Sequence, residues 1–201
     1  MKLYLIRHGV TVANENWLYC GHMDSPLAET GKAELREKSR QPDYMALNGL
    51  LDHQNAGISV YTTGMTRTEE TLQELFGDRP HQVLENMKEM NFGIFEGFAY
   101  ETLKEDPVYV EWCSGDNYAN IPPEGESGNQ MIARVLDAFR DLEEKDEDAL
   151  VICHGGPIAA IMAYLFPGEE KSRFDWQPNG GEGYLLTKEK GTWSYTKFPN
   201  T

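Results

Sequence analysis

The chain has 201 residues, which predicts one domain or one domain with an insertion. Apolar residues make up 40% and aromatics 11%, which excludes a disordered chain. The formal net charge is −15, which argues against nucleic acid or an anionic membrane as a main partner, because both call for a basic face. A small anionic substrate stays open, since a local basic pocket can sit inside an acidic shell.

The first element is a buried strand over Leu3-Tyr4-Leu5-Ile6, a short apolar run bounded by polar residues. From Pro26 to about Arg40 the pattern is helical, with Gly31 as an interior irregularity. Residues 41–57 are mixed, broken by Pro42, Asn48, Gly49 and Gly57. Ile58 to Tyr61 predicts a second strand, and Thr66 to Phe76 a helix that Gly77 ends. Residues 86–128 are irregular and rich in Gly, Pro, Tyr and Trp, with a short helix expected near 99–113. A stretch of that length is long for a plain connection and reads as a cap-like insertion. Gly128 to about Glu144 is an amphipathic helix, with Met131, Val135, Leu136 and Phe139 at helical spacing. Ala149-Leu150-Val151-Ile152-Cys153 is the clearest buried strand, and Gly155-Gly156-Pro157 opens an apolar helix to Phe166. Gly183–Thr187 and Thr192–Phe198 flank residues 188–191 as a hairpin. Strands alternating with helices predict an α/β fold, a three-layer α/β/α sandwich around a mostly parallel sheet with an antiparallel edge.

Cys20, Cys113 and Cys153 are odd in number, widely spaced and free of any C-x-x-C pattern. They read as incidental thiols of a reduced, cytoplasmic protein. The apolar run before Arg7 is too short for a signal sequence, and no apolar stretch reaches 18 residues. The charge run over residues 143–148 reads as a solvated loop.

Two stretches carry chemistry by one logic. Arg7-His8-Gly9 follows the first strand, and His154-Gly155-Gly156 follows the strongest one. In open α/β sheets, sites form at the carboxyl ends of strands. Arginine offers a permanently charged donor fork suited to phosphate oxygens. Neutral histidine offers a nucleophilic ring nitrogen. Alone, Arg-His-Gly is a weak signal.

The ordered set is stronger. After Arg7-His8-Gly9 come Thr11 and Asn14, then Gly21, Asp24, Pro26-Leu27 and Gly31. Arg67 follows within Tyr61–Thr71, then Glu89 and Glu96 within Glu89–Gly97, then Gly125-Glu126-Ser127 and His154-Gly155-Gly156. In this order and spacing the chain resembles the histidine phosphatase superfamily, the phosphoglycerate mutase-like proteins, over residues 3 to about 187. The resemblance implies a phosphoglycerate mutase-like fold and a metal-independent phosphomonoesterase with a small phosphorylated metabolite as substrate. It implies that His8 is the nucleophile, that Arg7, Asn14 and Arg67 bind phosphoryl oxygens, and that Glu89 is the proton donor. His154 becomes the second pocket histidine, Gly155 a backbone donor, and Thr11 a further member of the phosphate-binding motif. Glu96 and Glu126 compete with Glu89 for the acid's role. No cofactor and no metal is implied, because the arginines and histidines supply the charge.

Val10 stands where many members have Glu, and Thr63-Gly64 where Ser-Pro is common. Both put leaving-group preference in question more than catalysis. The segment Trp17–Leu27 resembles part of the alpha-ribazole phosphatase group and also occurs in broad-specificity bacterial members. It makes His22 a candidate substrate contact. Trp112, Tyr109 and Tyr118 read as cap packing, with one of them a candidate to line the pocket. Two rival readings stand beside hydrolysis: a phosphoglycerate mutase and a non-catalytic phospho-ligand binding module. Only 86 residues separate Arg67 from His154, whereas the mutases it resembles carry a larger insertion there, which favours hydrolysis. Oligomeric state is left open, a homodimer being one option.

Overall fold

A computed structural model of the chain describes residues 1–52, 57–116 and 118–200. Strand β1 (Lys2–Arg7) leads to a single helical turn, α1 (Val12–Glu15), and then to α2 (Glu29–Lys38) and α3 (Pro42–Asp52). Strand β2 (Ile58–Thr62), helix α4 (Thr66–Phe76) and the two-residue β3 (Gln82–Val83) follow. Next come α5 (Tyr100–Leu103), α6 (Pro107–Cys113) and the long α7 (Gly128–Lys145). Strand β4 (Asp148–Cys153), helix α8 (Gly155–Leu165) and the hairpin β5 (Gly183–Glu189) and β6 (Thr192–Phe198) complete the chain.

The six strands form one sheet in the order β3-β2-β4-β1-β5-β6. The pairs β3·β2, β2·β4 and β4·β1 are parallel, while β5 pairs antiparallel with both β1 and β6. The central runs are apolar without a break because both sheet faces are covered. Side-chain alternation then sorts them. Leu3, Leu5, Ala149, Val151 and Cys153 join one core cluster with Val135, Phe139, Ile158 and Ile161 of α7 and α8. Tyr4, Ile6, Leu150 and Ile152 join the other, with Leu35, Tyr44, Leu47 and Leu72 of α2, α3 and α4. These two cores make the three layers, and each fully buried Leu or Ile contributes roughly 1.5–3 kcal/mol.

The expected helix from Pro26 begins only at Glu29, and the mixed stretch 41–57 contains a genuine helix, α3. Residues 53–56 of that stretch lie outside the described residues. The helix expected near 99–113 is two short helices, α5 and α6, the second capped by the Asp106 side chain on the Val108 N–H. The hairpin turn is the pair Lys190-Gly191 alone, both with positive φ (50° and 81°), as a tight right-twisting hairpin requires. Around the cap stretch, Phe95, Leu103 and Tyr109 form a small separate core that Tyr19, Phe92 and Trp112 join. No helix among the described residues is long and apolar enough to cross a membrane. Cys20, Cys113 and Cys153 are free thiols.

Candidate active site

Register builds the site. Arg7 pairs with Cys153 across β1 and β4, so the next residues, His8 and His154, leave the sheet side by side. The His8 amide donates to the Cys153 carbonyl at 3.0 Å, and the two imidazole centroids lie 5.2 Å apart. On β2, Tyr61 pairs with Val151, which brings Thr63 to the same sheet edge.

His8 Nδ1 lies 2.7 Å from the Gly9 carbonyl oxygen. A carbonyl only accepts, so Nδ1 carries the proton and Nε2 is left with a free lone pair. The ring is buried. Burial first, and then the Arg67 and Arg7 charges, push its pKa down to about 3.

The arginines are held by carbonyls rather than carboxylates. Arg67, the second residue of α4, is 1% exposed. Its Nη2 donates to the Gly21 carbonyl at 2.6 Å and Nη1 to the Met23 carbonyl at 3.1 Å. Arg7 Nη1 donates to the Pro178 carbonyl at 2.9 Å. Neither has a carboxylate within 4 Å among the described residues. Two cations with no directly paired carboxylate therefore act on His8 in a chain of net charge −15. Such a pocket is built to take an anion.

His154 has partners on both ring nitrogens. Arg67 Nε donates to Nδ1 at 3.2 Å, so Nδ1 is unprotonated. Nε2–H then donates to Thr63 Oγ1 at 2.9 Å. Burial and the neighbouring positive groups hold this ring neutral, its pKa well below the usual histidine value. His154 is also the N-cap residue of α8, so the positive end of that helix dipole opens at the site, with Gly155 in its first turn.

Glu89 reaches the same helix end. Its Oε2 accepts from the Gly156 N–H and its Oε1 from its neighbour Met90, both at 2.9 Å. A Cβ at position 156 would stand 2.1 Å from Glu89 Oε1, so glycine there is what lets the carboxylate approach. The other two carboxylates are engaged elsewhere. Glu96 accepts backbone N–H groups of His22, Met23 and Phe92 and ties two loops together. Glu126 pairs with Arg134 at 2.5 Å, which helps hold its pKa below the usual carboxylate range despite partial burial.

Thr11, Asn14 and His22 lie apart from this set in their contacts. Thr11 and Asn14 cap α1 reciprocally, each side chain accepting from the other's backbone N–H. Asn14 is exposed. The His22 side chain is 40% exposed and stands 3.9 Å from Glu126. None of the three hydrogen-bonds to Arg7, His8, Arg67, Glu89 or His154 among the described residues.

Beside Glu89 and Gly156 opens a cleft of about 630 Å³, walled largely by apolar side chains that include Phe92, Trp112 and Ala159. Trp112 and Tyr118 line it, whereas Tyr109 is buried in the small core with Phe95 and Leu103. Sequence reasoning did not single out Thr63, Gln177 or Pro178 as site members. A Cβ at Gly155 would stand 2.9 Å from Gln177 Oε1 and 3.4 Å from Arg7 Nε, so the 166–182 loop packs against the start of α8 beside Arg7. Thr63 is marked only as a departure from the family's Ser-Pro pattern, and no local sequence pattern marks Gln177 or Pro178. Among the described residues no group of three His, Cys, Asp or Glu side chains could hold a metal.

Known proteins carry the same frame. The adenosylcobalamin/alpha-ribazole phosphatase of Salmonella typhimurium is 30% identical over 175 residues, covering 82% of this chain and 79% of its own. The crystal structure of the alpha-ribazole phosphatase from Shigella flexneri matches with a TM-score of 0.80 at 25% identity, covering 98% of this chain and 95% of its own. A phosphoglycerate mutase from Bacillus anthracis shares the fold at 22% identity, with a TM-score of 0.74 and coverage of 98% and 92%. The family match runs through both histidine-bearing strand ends and everything between them: over residues 3–201, this chain belongs to the histidine phosphatase superfamily, branch 1.

Proposed function

We propose that this chain is a phosphomonoester hydrolase acting on a small phosphorylated metabolite through a phosphohistidine on His8. The observation that carries this reading is the His8 tautomer: Nδ1–H is fixed on the Gly9 carbonyl, which leaves Nε2 bare in a buried ring that feels the Arg67 and Arg7 charges. Phosphoryl transfer is mostly positioning and electrostatic stabilisation of charge on three equatorial oxygens. Arg7, Arg67 and the N-terminus of α8 at Gly155 supply that charge. An incoming phosphoryl oxygen competes with Thr63 for the His154 Nε2–H. The Asn14 side-chain N–H at the start of α1 would supply a further donor to a phosphoryl oxygen, with Thr11 holding that turn.

In the first step, His8 Nε2 forms a bond to phosphorus as the ester P–O bond breaks. The leaving oxygen takes a proton from the Glu89 carboxyl. In the second, Glu89 accepts a proton from water, whose oxygen bonds phosphorus as the P–N bond breaks. Phosphate leaves and His8 is again neutral. No step calls on a metal, and residues 86–128 serve as the cap over the leaving group within a single domain. The Salmonella and Shigella relatives support alpha-ribazole phosphate as a candidate substrate, and His22, half-exposed beside Glu126, is placed as a contact for its leaving group.

His8→Ala should fold, because the side chain fills a polar pocket and not the apolar core, and should form no phosphoenzyme. Brief reaction of the wild type with labelled ester, quenched in alkali, should trap an acid-labile phosphate on His8. Activity should persist in a chelator and fall with vanadate. An acid-stable label, or one that survives in His8→Ala, overturns the assignment.

A further inference from the structure

The loop after α8 brings an arginine to the cleft. Arg173 lines the same 630 Å³ space as Glu89 and Gly156. Its place is built. The Ser172–Asp175 turn closes with the Asp175 amide on the Ser172 carbonyl at 3.1 Å. Asp175 Oδ2 in turn accepts from the Ser172 N–H at 2.8 Å and the Ser172 hydroxyl at 2.6 Å, so the turn's own carboxylate is occupied. Trp176, 1% exposed, plugs the next position into the core against Tyr184 and Tyr195. The Arg173 guanidinium lies 4.9 Å from the Tyr118 ring and 4.9 Å from the Phe174 ring. Stacking uses the face of the guanidinium and leaves its N–H edge free for a planar anion.

The charge around it is unusual for this chain. The chain has 33 acidic residues, and Arg36, Arg79, Arg134 and Arg140 each have a carboxylate within 4 Å. Arg173 has none among the described residues, a property it shares with Arg7 and Arg67 in the phosphate pocket and with Arg40, which is exposed after α2. Among the described residues, Glu89 is the only carboxylate lining the cleft, and it sits against the N-terminus of α8. The cleft therefore has one cation in its wall, Arg173, with apolar and aromatic lining beside it, and it shares Gly156 and Gln177 with the surroundings of Gly155 and Arg7.

We infer that Arg173 is a specificity-determining residue that binds a second anionic group of the substrate. The substrate class is then a phosphomonoester whose apolar leaving group carries a carboxylate or a second phosphate. This rests on the phosphatase reading above and narrows it. A charge-assisted hydrogen bond in a half-buried place is worth about tenfold or more in binding. It is made in ground state and transition state alike, so it should appear in KM more than in kcat.

The test compares 4-carboxyphenyl phosphate with 4-carbamoylphenyl phosphate, which match in shape and differ in charge. The wild type should prefer the carboxylate in kcat/KM by about tenfold or more. Arg173→Gln should bring that ratio close to one through KM, with the carbamoyl ester changed less than about twofold, and Arg173→Lys should restore part of it. An unchanged ratio in Arg173→Gln, or equal losses on both esters, overturns the inference and leaves Arg173 as cap packing. Failure of the phosphatase reading looks different, since the wild type would then turn over neither ester. In that case calorimetric binding of the matching 4-carboxybenzyl and 4-carbamoylbenzyl phosphonates applies the same ratio test without turnover. Equal affinities for the wild type would sink the second anion site.

Discussion

Three glutamates in the 86–128 stretch do different things because their neighbours differ. Glu96 spends its oxygens on three backbone N–H groups, Glu126 faces Arg134, and Glu89 alone stands at the N-terminus of α8 beside the cleft. If Glu89 protonates the leaving oxygen, Glu89→Gln keeps the shape and removes the proton. General acid catalysis is typically worth about 10²–10⁴-fold. That loss is expected on an alkyl phosphate, with a much smaller one on an aryl phosphate, whose leaving group needs little help. Glu96→Gln should lose activity equally on both esters and lower the melting temperature, because it loosens the Gly21–Met23 loop that holds Arg67. The two-ester comparison decides the acid, and the roles exchange if Glu96→Gln is the variant that discriminates. At this scale Arg7, His8 and His154 were legible because each sits where an apolar run stops at a glycine turn. Thr63 and Gln177 were not, because their place follows from which strand ends and loops the fold brings together. The motif marks Thr63 only as a departure, and its contact with His154 follows only once β4 lies next to β2.

Elements were legible where one physical signal dominated. β4 is an unbroken apolar run, and α4 and α7 carry a clear apolar stripe with a capping glycine or serine at one end. Helix α3 was not, since Asn48 and Gly49 are poor helix formers. Tertiary packing overrides them: Tyr44 and Leu47 are buried, and the Tyr44 hydroxyl donates to the Gly181 carbonyl. β3 has only two residues, too few for any pattern. Gly156 shows propensity and function opposed within one element. Gly→Ala in a helix stabilises by about 0.5–1 kcal/mol. The added methyl would meet only the tip of Glu89, a flexible side chain that can swing away. Gly156→Ala should therefore keep or raise the melting temperature while losing activity on the alkyl ester as Glu89→Gln does. Gly21→Ala is the contrast, because its Cβ would lie 1.7 Å from the Met90 carbonyl oxygen, which is backbone. That variant should lose stability and activity together. Thermal unfolding and alkyl-ester turnover on the two variants separate these outcomes, and a destabilised Gly156→Ala with normal activity would contradict the placement of Glu89.

Across the whole molecule, the acidic shell and the buried histidines set how stability depends on pH. His8 titrates at about 3 in the folded protein against an ordinary value of 6.5, and His154 is displaced in the same direction. Below pH 6.5 the unfolded chain takes up protons at these positions that the folded chain refuses. Stability therefore falls as pH falls through 6.5 and goes on falling until the folded value is reached. One such group gives a slope of up to about 1.4 kcal/mol per pH unit. The carboxylates held low by their partners, Glu126 and Glu143 among them, act in a separate window. Their stabilisation is present above the ordinary carboxylate value of 4.5 and is lost as pH drops through their lowered folded values. Between pH 6 and 5 the histidines dominate. Replacing His8 by Asn removes one of them, so the urea-unfolding free energy of His8→Asn should fall less steeply than that of the wild type across that interval. The difference in slope should approach that of one proton. Equal slopes would mean that His8 takes up its proton in the folded state as readily as in the unfolded one. The ring would then be a cation below about pH 6.5, and its Nε2 would be free to attack only above that value.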